Sequence, residues 1–408
     1  MTGRQSNEGL RPRAGGPRQA LVALCMTQVV GWGVLYYSFP VALPAIVADT
    51  GWTSTSAMAA FSAALVVAAA AGVAVGRLID HHGPRGVMTT GSVIATVAVL
   101  GVGAAPTLGW FAAAWIVAGI SQSMVLYAPA FTALTRWYGP ARGRALMILT
   151  LVAGLASTVF APVTAALVAH LGWRLTYVTL AALLALTTIP THALGLRAAW
   201  PSLPGHDASS ARSDRRRITT SRPFVLLTVT TSLIAFALFA ATIHLVSMLG
   251  WRGLSPTAAA WALGLSGAGQ LLGRIAYPPL VRCTTPMSRT VVLAACAGAT
   301  VLAVGVIPGP ALALVAAATV LGVVRGAFTL LQSTAVSDRW GTSGFGALYG
   351  VLNAPTTLAM ALAPWAAGAL TDATGSYPQT FAVLAVLAGV ATLVALGTRP
   401  REARRAGG

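Results

Sequence analysis

Arg325 is the residue best placed to bind a charged ligand, because it lies deep inside an apolar run. It stands between Val324 and Gly326, and no acidic residue lies within one helical turn of it. It is roughly 21 Å along its run, at about 1.5 Å per helical residue. Its guanidinium group could grip a carboxylate or phosphate with two parallel hydrogen bonds. We predict an anion-binding residue; the alternative is an arginine whose long side chain reaches the inner membrane surface or caps neighbouring carbonyl groups.

Arg274 and His244 are the next two ionisable candidates. Arg274 lies two turns before Arg282, and Gln270 is one turn away on the same helical face. Arg274 could therefore bind an anion, or it could mark the inner end of its helix. His244 lies nearer the opposite end of its own run. Histidine titrates near neutral pH, so His244 could carry a coupling proton. The alternative is a neutral histidine that is hydrogen-bonded within the protein.

Several polar and aromatic side chains on central helices could complete a pocket around these charges. Each of them could instead be a packing residue. The candidates for substrate contact are Trp32, Tyr36, Tyr37, Gln122, Gln270 and Asn353, with Gln28 and Tyr127 as neighbours.

Acidic residues are missing from the middle of the apolar runs. Asp49 and Asp372 lie at one edge of the predicted spans, and Asp80 and Asp338 lie at the other edge. Exporters that exchange cationic drugs for protons generally need a buried carboxylate. An anionic substrate therefore fits this sequence better than a cationic one.

The elements that carry these residues are predicted to be membrane helices. The 408-residue chain is 56% hydrophobic and 8% charged, against about 25% charged residues in soluble domains. Helices satisfy their own backbone groups in lipid, and the alternating pattern of a β-barrel is absent from the sequence. We predict an all-α membrane protein with twelve spans of roughly 20 or more residues. The predicted spans are 19–46, 54–78, 86–106, 109–135, 143–168, 171–196, 222–249, 255–280, 288–307, 311–336, 343–368 and 377–398.

The distribution of the arginines predicts the orientation of the chain in the membrane. With the N-terminus inside, 23 of the 26 arginines fall in cytoplasmic segments, and the chain has no lysine. Arg174 and Arg252 lie near the outer face, and Arg325 lies inside a span. This is the positive-inside pattern, so both termini are predicted to be cytoplasmic. The net charge of +18 thus reflects membrane topology and does not predict a nucleic-acid partner.

The chain repeats itself, which predicts two related halves. Several residue pairs recur about 200 positions later and in the same order. They are Gly51-Trp52 with Gly250-Trp251, Gly76-Arg77 with Gly273-Arg274, Gly119 with Gly322, Arg136-Trp137 with Arg339-Trp340, and Ala161-Pro162 with Ala363-Pro364.

These repeats predict a division into two six-helix bundles joined by a cytoplasmic linker. The bundles are expected at 19–196 and 222–398, and the polar, proline-containing linker at 197–221. Residues 1–18 are predicted to be a disordered cytoplasmic tail, and 399–408 a second cytoplasmic tail. Parallel repeats of this kind are known from transporters in which the substrate binds between the halves.

The loop between predicted spans 2 and 3 carries the most specific motif. Its spacing is Gly76-x-Leu78-x-Asp80-x-x-Gly83-x-Arg85. This spacing resembles the loop signature of the major facilitator superfamily of secondary transporters. An ordinary positive-inside hairpin is the alternative.

The resemblance covers about residues 19–398, and it implies roles for the loop residues. Gly76 would allow close helix contact, Asp80 would form charge contacts that latch one conformation together with Gly83, and Arg85 would face the cytoplasmic headgroups. In the second half Tyr277 stands where Asp80 stands in the first. We therefore expect the charged latch to be asymmetric and stronger on the N-terminal side.

A narrower resemblance concerns the substrate. Residues 31–52, Arg136-Trp137 and residues 142–146 resemble bacterial members near the monocarboxylate and oxalate/formate carriers. In monocarboxylate carriers an acidic residue precedes the span 8 arginine by four positions, and here Gln270 replaces it. That replacement keeps the arginine and removes the partner linked with proton coupling.

The function that the resemblance implies is secondary active transport by alternating access. The predicted substrate is a small organic anion of the monocarboxylate kind, moved by proton symport or anion exchange. The alternatives are a multidrug or metabolite exporter and a transporter-like sensor that moves nothing. No catalytic constellation, metal pattern or nucleotide-binding loop is visible, so neither an enzyme nor a cofactor is predicted. The expected partners are a small-molecule substrate, the lipid bilayer and protons, in a monomer that spans the cytoplasmic (inner) membrane of a bacterium many times.

Overall fold

The computed structural model describes residues 16–139, 142–200, 216–341 and 345–399, and in these ranges the chain is almost wholly helical. We number the membrane-length segments α1 to α12. They are α1 Pro17–Thr50, α2 Ser54–His82, α3 Pro84–Gly103, α4 Leu108–Tyr138, α5 and α6 within Arg142–Gly195, α7 Arg222–Ile243 continued by Leu245–Trp251, α8 Pro256–Cys283, α9 Pro286–Val306, α10 Ala311–Thr334, α11 Phe345–Thr374 and α12 Tyr377–Ala395.

These segments agree with the twelve predicted spans to within a few residues at most ends. Within the described ranges, nine segments meet a strict length and hydropathy criterion for crossing a membrane. One of these nine is the 54-residue stretch Arg142–Gly195, which turns at Gly172 with φ 72° and so contains both α5 and α6. Because α8 and α11 are also membrane-length helices of 28 and 30 residues, the architecture is consistent with twelve spans.

Local sequence signals explain where the helices begin and end. The Thr53 side chain caps α2 by accepting a hydrogen bond from the backbone N–H of Ser56. Thr285 and Ser288 form a reciprocal capping box at the start of α9. At Gly51 the backbone takes a left-handed φ of 70°, which terminates α1 four residues later than the sequence predicts.

Helix α1 is interrupted halfway by a π-helical turn at Gly33–Tyr37. Gly33 lies against the ring of Phe160 in α5, where an added Cβ atom would overlap the ring. A π turn widens the helix by one residue and changes the direction of the side chains on it. This turn carries Tyr36 and Tyr37, both of which are buried.

The two six-helix bundles repeat the same helix contacts, as the repeated sequence predicts. In the first bundle Gly119 of α4 packs on the backbone of Ala64 in α2. In the second bundle Gly322 of α10 packs in the same way on Ser266 of α8. An added Cβ at either glycine would overlap a carbonyl oxygen of the facing helix, so only glycine permits these close approaches.

Two helix pairs make the most extensive contacts between the bundles. Between α2 and α11, the backbone N–H of Trp365 donates to Ser62 Oγ at 3.0 Å, and Gly368 lies against Thr55. Between α5 and α8, Thr158 Oγ1 donates to the carbonyl oxygen of Gly264 at 2.9 Å. These contacts surround the space in which a substrate would bind in such a fold.

The loop between α2 and α3 forms a charged contact within the first bundle. Arg136 Nη2 lies 3.0 Å from Asp80 Oδ1, and the Arg136 guanidinium also covers the ring of Trp200 at 4.5 Å. Trp200 donates to the backbone carbonyl of Asp80 and packs against Gly83, whose φ is 78°. The exposed Arg85 donates to the carbonyl of Ala193 at 2.8 Å, so part of its guanidinium binds the end of α6.

Gly76 differs from its predicted role. A Cβ atom added there would meet nothing within 4 Å, so no helix approaches it closely. The close approaches in this protein are made instead by glycines inside the bundles, such as Gly119 and Gly273.

The second bundle also has a charged contact at its inner end, which corrects our expectation that the missing acid at Tyr277 weakens it. Arg289 Nη2 pairs with Asp338 Oδ2 at 2.6 Å, and the Arg289 side chain is 2% exposed. Arg339 next to this pair donates to Pro286 and Thr290. Burial lowers the pKa of Arg339 to about 10, so it still carries its charge at neutral pH. In the first bundle the acidic residue of this contact, Asp80, lies at the end of α2. In the second bundle the acidic residue, Asp338, lies in the segment after α10.

Candidate functional site

Arg325 of α10 lies in the interior between the two bundles and is 5% exposed. Its Nη1 donates to the hydroxyl of Tyr37, which belongs to the other bundle, at 3.3 Å. Its guanidinium carbon also lies 4.4 Å from the ring centroid of Phe239 in α7. All three groups meet at the interface between the bundles, so the residue predicted to bind an anion lies between the bundles.

Two adjacent tyrosines of α1 approach this guanidinium. The ring centroids of Tyr36 and Tyr37 are 5.1 Å apart, and the Tyr36 ring also contacts Phe239 across the bundle interface at 6.3 Å. Both hydroxyls lie within electrostatic range of Arg325. The π turn of α1 explains this arrangement, because it presents two successive side chains to the same space.

Among the residues that the structure describes, the charge of Arg325 has no acidic partner. The three ion pairs in the part of the chain that the structure describes are Asp80 with Arg136, Asp49 with Arg174, and Asp338 with Arg289. All of them lie at helix ends. The contacts of Arg325 are phenol groups and an aromatic ring, which stabilise a cation without neutralising it. An uncompensated buried cation favours an anionic ligand.

Arg274 of α8 also lies in the interior, 6% exposed. Its Nη1 donates to the carbonyl oxygen of Thr150 in α5, so it bridges the two bundles. Its Nε is buried and has no hydrogen-bond partner among the described residues. Arg274 interacts with the Tyr127 hydroxyl of α4, which is also within electrostatic range of Arg325. The structure therefore places both arginines at one interface instead of at the membrane surface.

The three amide candidates have different surroundings. Gln122 is buried and donates to the carbonyl of Leu35 at 3.0 Å, which satisfies a backbone group at the π turn. Asn353 accepts a hydrogen bond from Gln332 at 2.7 Å within its own bundle. Gln270 is 5% exposed, and its backbone packs against Gly326, next to Arg325. Gln270 thus belongs to the part of α8 that packs against the segment of α10 carrying Arg325.

His244 lies away from the arginines, at the break in α7. Its Nε2 donates to the carbonyl of Pro364 in α11 at 2.9 Å, and its Nδ1 is buried without a partner in the described chain. The ring lies 6.1 Å from that of Tyr377, and Gly368 packs beside it. His244 therefore adjoins the contact between α2 and α11.

A row of aromatic rings leads away from Arg325 along α1 and α4. The Trp32 ring contacts Tyr36 at 5.4 Å and Tyr127 at 4.8 Å, and Tyr127 stacks on Phe131 at 5.0 Å. Sequence reasoning singled out Trp32 and Tyr127 but missed Phe239 and Phe131. Nothing in the local sequence distinguishes these phenylalanines from packing residues. Their position becomes clear only from the packing of α1, α4, α7 and α10.

Comparison with known proteins agrees with this architecture. The sequence profile of the Major Facilitator Superfamily matches residues 24–310 and 252–408. The fold is similar to a bacterial homologue of the human lysosomal transporter Spinster, with a TM-score of 0.73 and 15% identity over 97% of this chain and all of that one. It is also similar to the nucleoside transporter NupG, with a TM-score of 0.74 and 13% identity over 94% of this chain and all of that one. The chain belongs to the Major Facilitator Superfamily: it is a multi-pass membrane transporter and not an enzyme.

Several curated relatives are monocarboxylate transporters. Monocarboxylate transporter 13 of Bos taurus is 25% identical over 381 residues, which cover 92% of this chain and 86% of that protein. Monocarboxylate transporter 11 of Homo sapiens is 28% identical over 355 residues, covering 82% and 71%. The similarity thus extends over most of both chains.

Proposed function

We propose that this protein transports a small organic anion of the monocarboxylate kind across the membrane by alternating access. The observation that carries the proposal is Arg325, a buried cation between the bundles with no acidic partner in the described chain. A carboxylate would supply the missing charge and could accept two parallel hydrogen bonds from the guanidinium. The names of the relatives support the same substrate class.

Arg274 is the second cationic group of the proposed site. Its Nε lacks a hydrogen-bond partner in the described chain, and it reaches across to Thr150 of the other bundle. When the bundles move apart at this interface, the Arg274–Thr150 contact must break, which frees the guanidinium. In this proposal Arg274 adds to the positive potential around the substrate, and its guanidinium is free only when the interface between the bundles is open. Gln122 stabilises the π turn that carries Tyr36 and Tyr37, through its hydrogen bond to Leu35.

Proton coupling, if the anion is moved by symport, is assigned to His244. Its unpartnered Nδ1 and its position beside the α2–α11 contact support this role. In His244→Gln we expect proton-driven uptake to fall strongly while exchange of substrate for substrate continues. Loss of both activities to the same extent would contradict the assignment.

The proposed orientation of the chain in the membrane rests on the positive-inside pattern. We propose that both termini face the cytoplasm and that the protein is a monomer in the cytoplasmic membrane of a bacterium. The Asp80–Arg136 contact, with Gly83 and Arg85, would then stabilise one conformation of the inner face. Labelling of single cysteines at residues 6 and 403 only after membranes are permeabilised would support this orientation, and labelling of intact cells would contradict it.

The test is counterflow in proteoliposomes with labelled small carboxylates such as pyruvate and lactate. We expect counterflow by the wild type and its loss in Arg325→Ala. Arg282→Ala is the matched control, because Arg282 is exposed at the end of α8, and this variant should transport normally. Counterflow that survives in Arg325→Ala would contradict the anion site. Failure of the wild type to exchange any carboxylate would favour the exporter or the non-transporting sensor.

A further inference from the structure

The aromatic row beside Arg325 is only half-buried, although it lies inside the protein. Trp32, Tyr127 and Phe131 are each of intermediate exposure. The neighbouring cluster of Phe39, Phe61 and Trp115 is different, since none of these three is more than 1% exposed. The second cluster is a packed core, whereas the residues of the row are partly accessible.

Two members of the row, Trp32 and Tyr127, lie beside the space between the bundles. Tyr127 of the first bundle interacts with Arg274 and is in electrostatic range of Arg325, both from the second. Trp32 lies between Tyr127 and Tyr36, and Tyr36 contacts Phe239 across the interface. The row is therefore continuous with the site that holds Arg325.

The polar groups around this space suit one anionic end better than a substrate that is polar along its length. The Gln122 side chain donates a hydrogen bond to the Leu35 carbonyl, and the Asn353 side chain accepts one from Gln332. What remains beside Arg325 is a set of ring faces, the tyrosine hydroxyls and Gln270, together with Trp32 Nε1 and Gln122 Oε1, which have no hydrogen-bond partner in the described chain. Ring faces attract other aromatic rings in offset or edge-on arrangements beyond the effect of buried area alone.

We propose that the preferred substrate is an aryl carboxylate. Its carboxylate would pair with Arg325, and its planar ring would lie against Trp32 and Tyr127. This inference rests on the proposed anion-transport function and narrows the substrate class, because a small aliphatic acid would leave the aromatic row uncovered.

The test compares benzoate with cyclohexanecarboxylate, which has the same carbon skeleton without aromaticity, by calorimetric titration of the detergent-purified protein. Both are ionised at neutral pH. We expect benzoate to bind roughly five- to tenfold more tightly, since each ring contact is worth about two- to tenfold. Trp32→Leu and Tyr127→Leu should each weaken benzoate binding by about that factor and leave cyclohexanecarboxylate within about twofold. Tyr127→Phe, which keeps the ring, should retain benzoate binding.

Trp261→Leu is the matched control, because Trp261 of α8 is 53% exposed on the outside of the bundle. Its benzoate affinity should equal that of the wild type. Equal affinity of the wild type for the two acids would overturn the inference. Arg325-dependent binding of pyruvate without binding of benzoate would overturn the inference and leave the anion transporter intact. If no carboxylate binds in an Arg325-dependent way, both proposals fail.

Discussion

At the scale of single residues, the main feature is a buried arginine whose neighbours are neutral. Arg325 is stabilised by the Tyr37 hydroxyl and the face of Phe239, so its charge remains available to a ligand. Arg289 is also buried but has an ion pair, and it shows the contrast, because Asp338 already neutralises it. Burial alone does not separate a ligand-binding arginine from a structural one, whereas the identity of the partner does.

Tyr37→Phe tests how far the hydroxyl positions Arg325. The variant removes the hydrogen bond at 3.3 Å and keeps the ring. We expect counterflow at low substrate concentration to fall by about three- to tenfold, since a hydrogen bond to a charged group contributes roughly 1 kcal/mol or more. Tyr138→Phe is the control, because the Tyr138 hydroxyl has no hydrogen-bond partner in the described chain. Equal rates in the two variants would show that Tyr37 does not orient the arginine.

Sequence reasoning found Arg325 because one charge inside an apolar run is costly wherever its side chain points. It could not find the partners of that charge. Tyr37 and Phe239 are 202 residues apart in the chain and meet only through the packing of the bundles. The sequence also suggested a weak charged latch in the second half, because it compared position 277 with position 80. The ion pair there uses Asp338 instead, which no comparison of aligned positions reveals.

At the scale of helices, glycines set how closely the bundles pack. Gly119 and Gly322 occupy equivalent contacts in the two halves, and the repeated sequence predicted their equivalence. Gly76 was predicted to make such a contact and does not, because its position near the end of α2 faces open space. The family motif lies at the turn between α2 and α3, but it does not specify what Gly76 contacts.

Gly322→Ala should destabilise the protein. The new methyl group would overlap the carbonyl oxygen of Ser266, and overpacking of this kind costs about 1–3 kcal/mol. We expect a clear fall in melting temperature in detergent. Gly72→Ala is the matched control, since a Cβ atom at Gly72 meets nothing within 4 Å and alanine favours the helix. A melting temperature of Gly322→Ala at or above that of Gly72→Ala would contradict the packing argument.

At the scale of the whole molecule, alternating access requires that contacts between the bundles open and close. The α2–α11 contact includes Thr55 beside Gly368, where an added Cβ atom would lie 3.4 Å from the Thr55 Cα. Because Thr55 Oγ1 lies 3.0 Å from the same added atom, the two Cβ atoms are less than about 4.5 Å apart, which is compatible with a disulfide. The pair therefore offers a reversible means of holding the two bundles together.

Thr55→Cys combined with Gly368→Cys should stop counterflow on oxidation, and a reducing agent should restore it. The free residues Cys25, Cys283 and Cys296 are first replaced by alanine so that only the new pair can form a bond. Each single-cysteine variant serves as a control and should be insensitive to the oxidant. Undiminished transport by a fully cross-linked protein would show that the α2–α11 contact need not open.

The most direct test of the central claim is equilibrium binding of a labelled carboxylate to purified wild type, Arg325→Lys and Arg325→Ala. We expect saturable binding by the wild type, a loss of roughly tenfold in the lysine variant, which lacks the planar fork, and a loss of about a hundredfold in the alanine variant. Binding of equal strength by all three folded proteins would contradict the account, because it would show that the buried charge between the bundles does not hold the substrate.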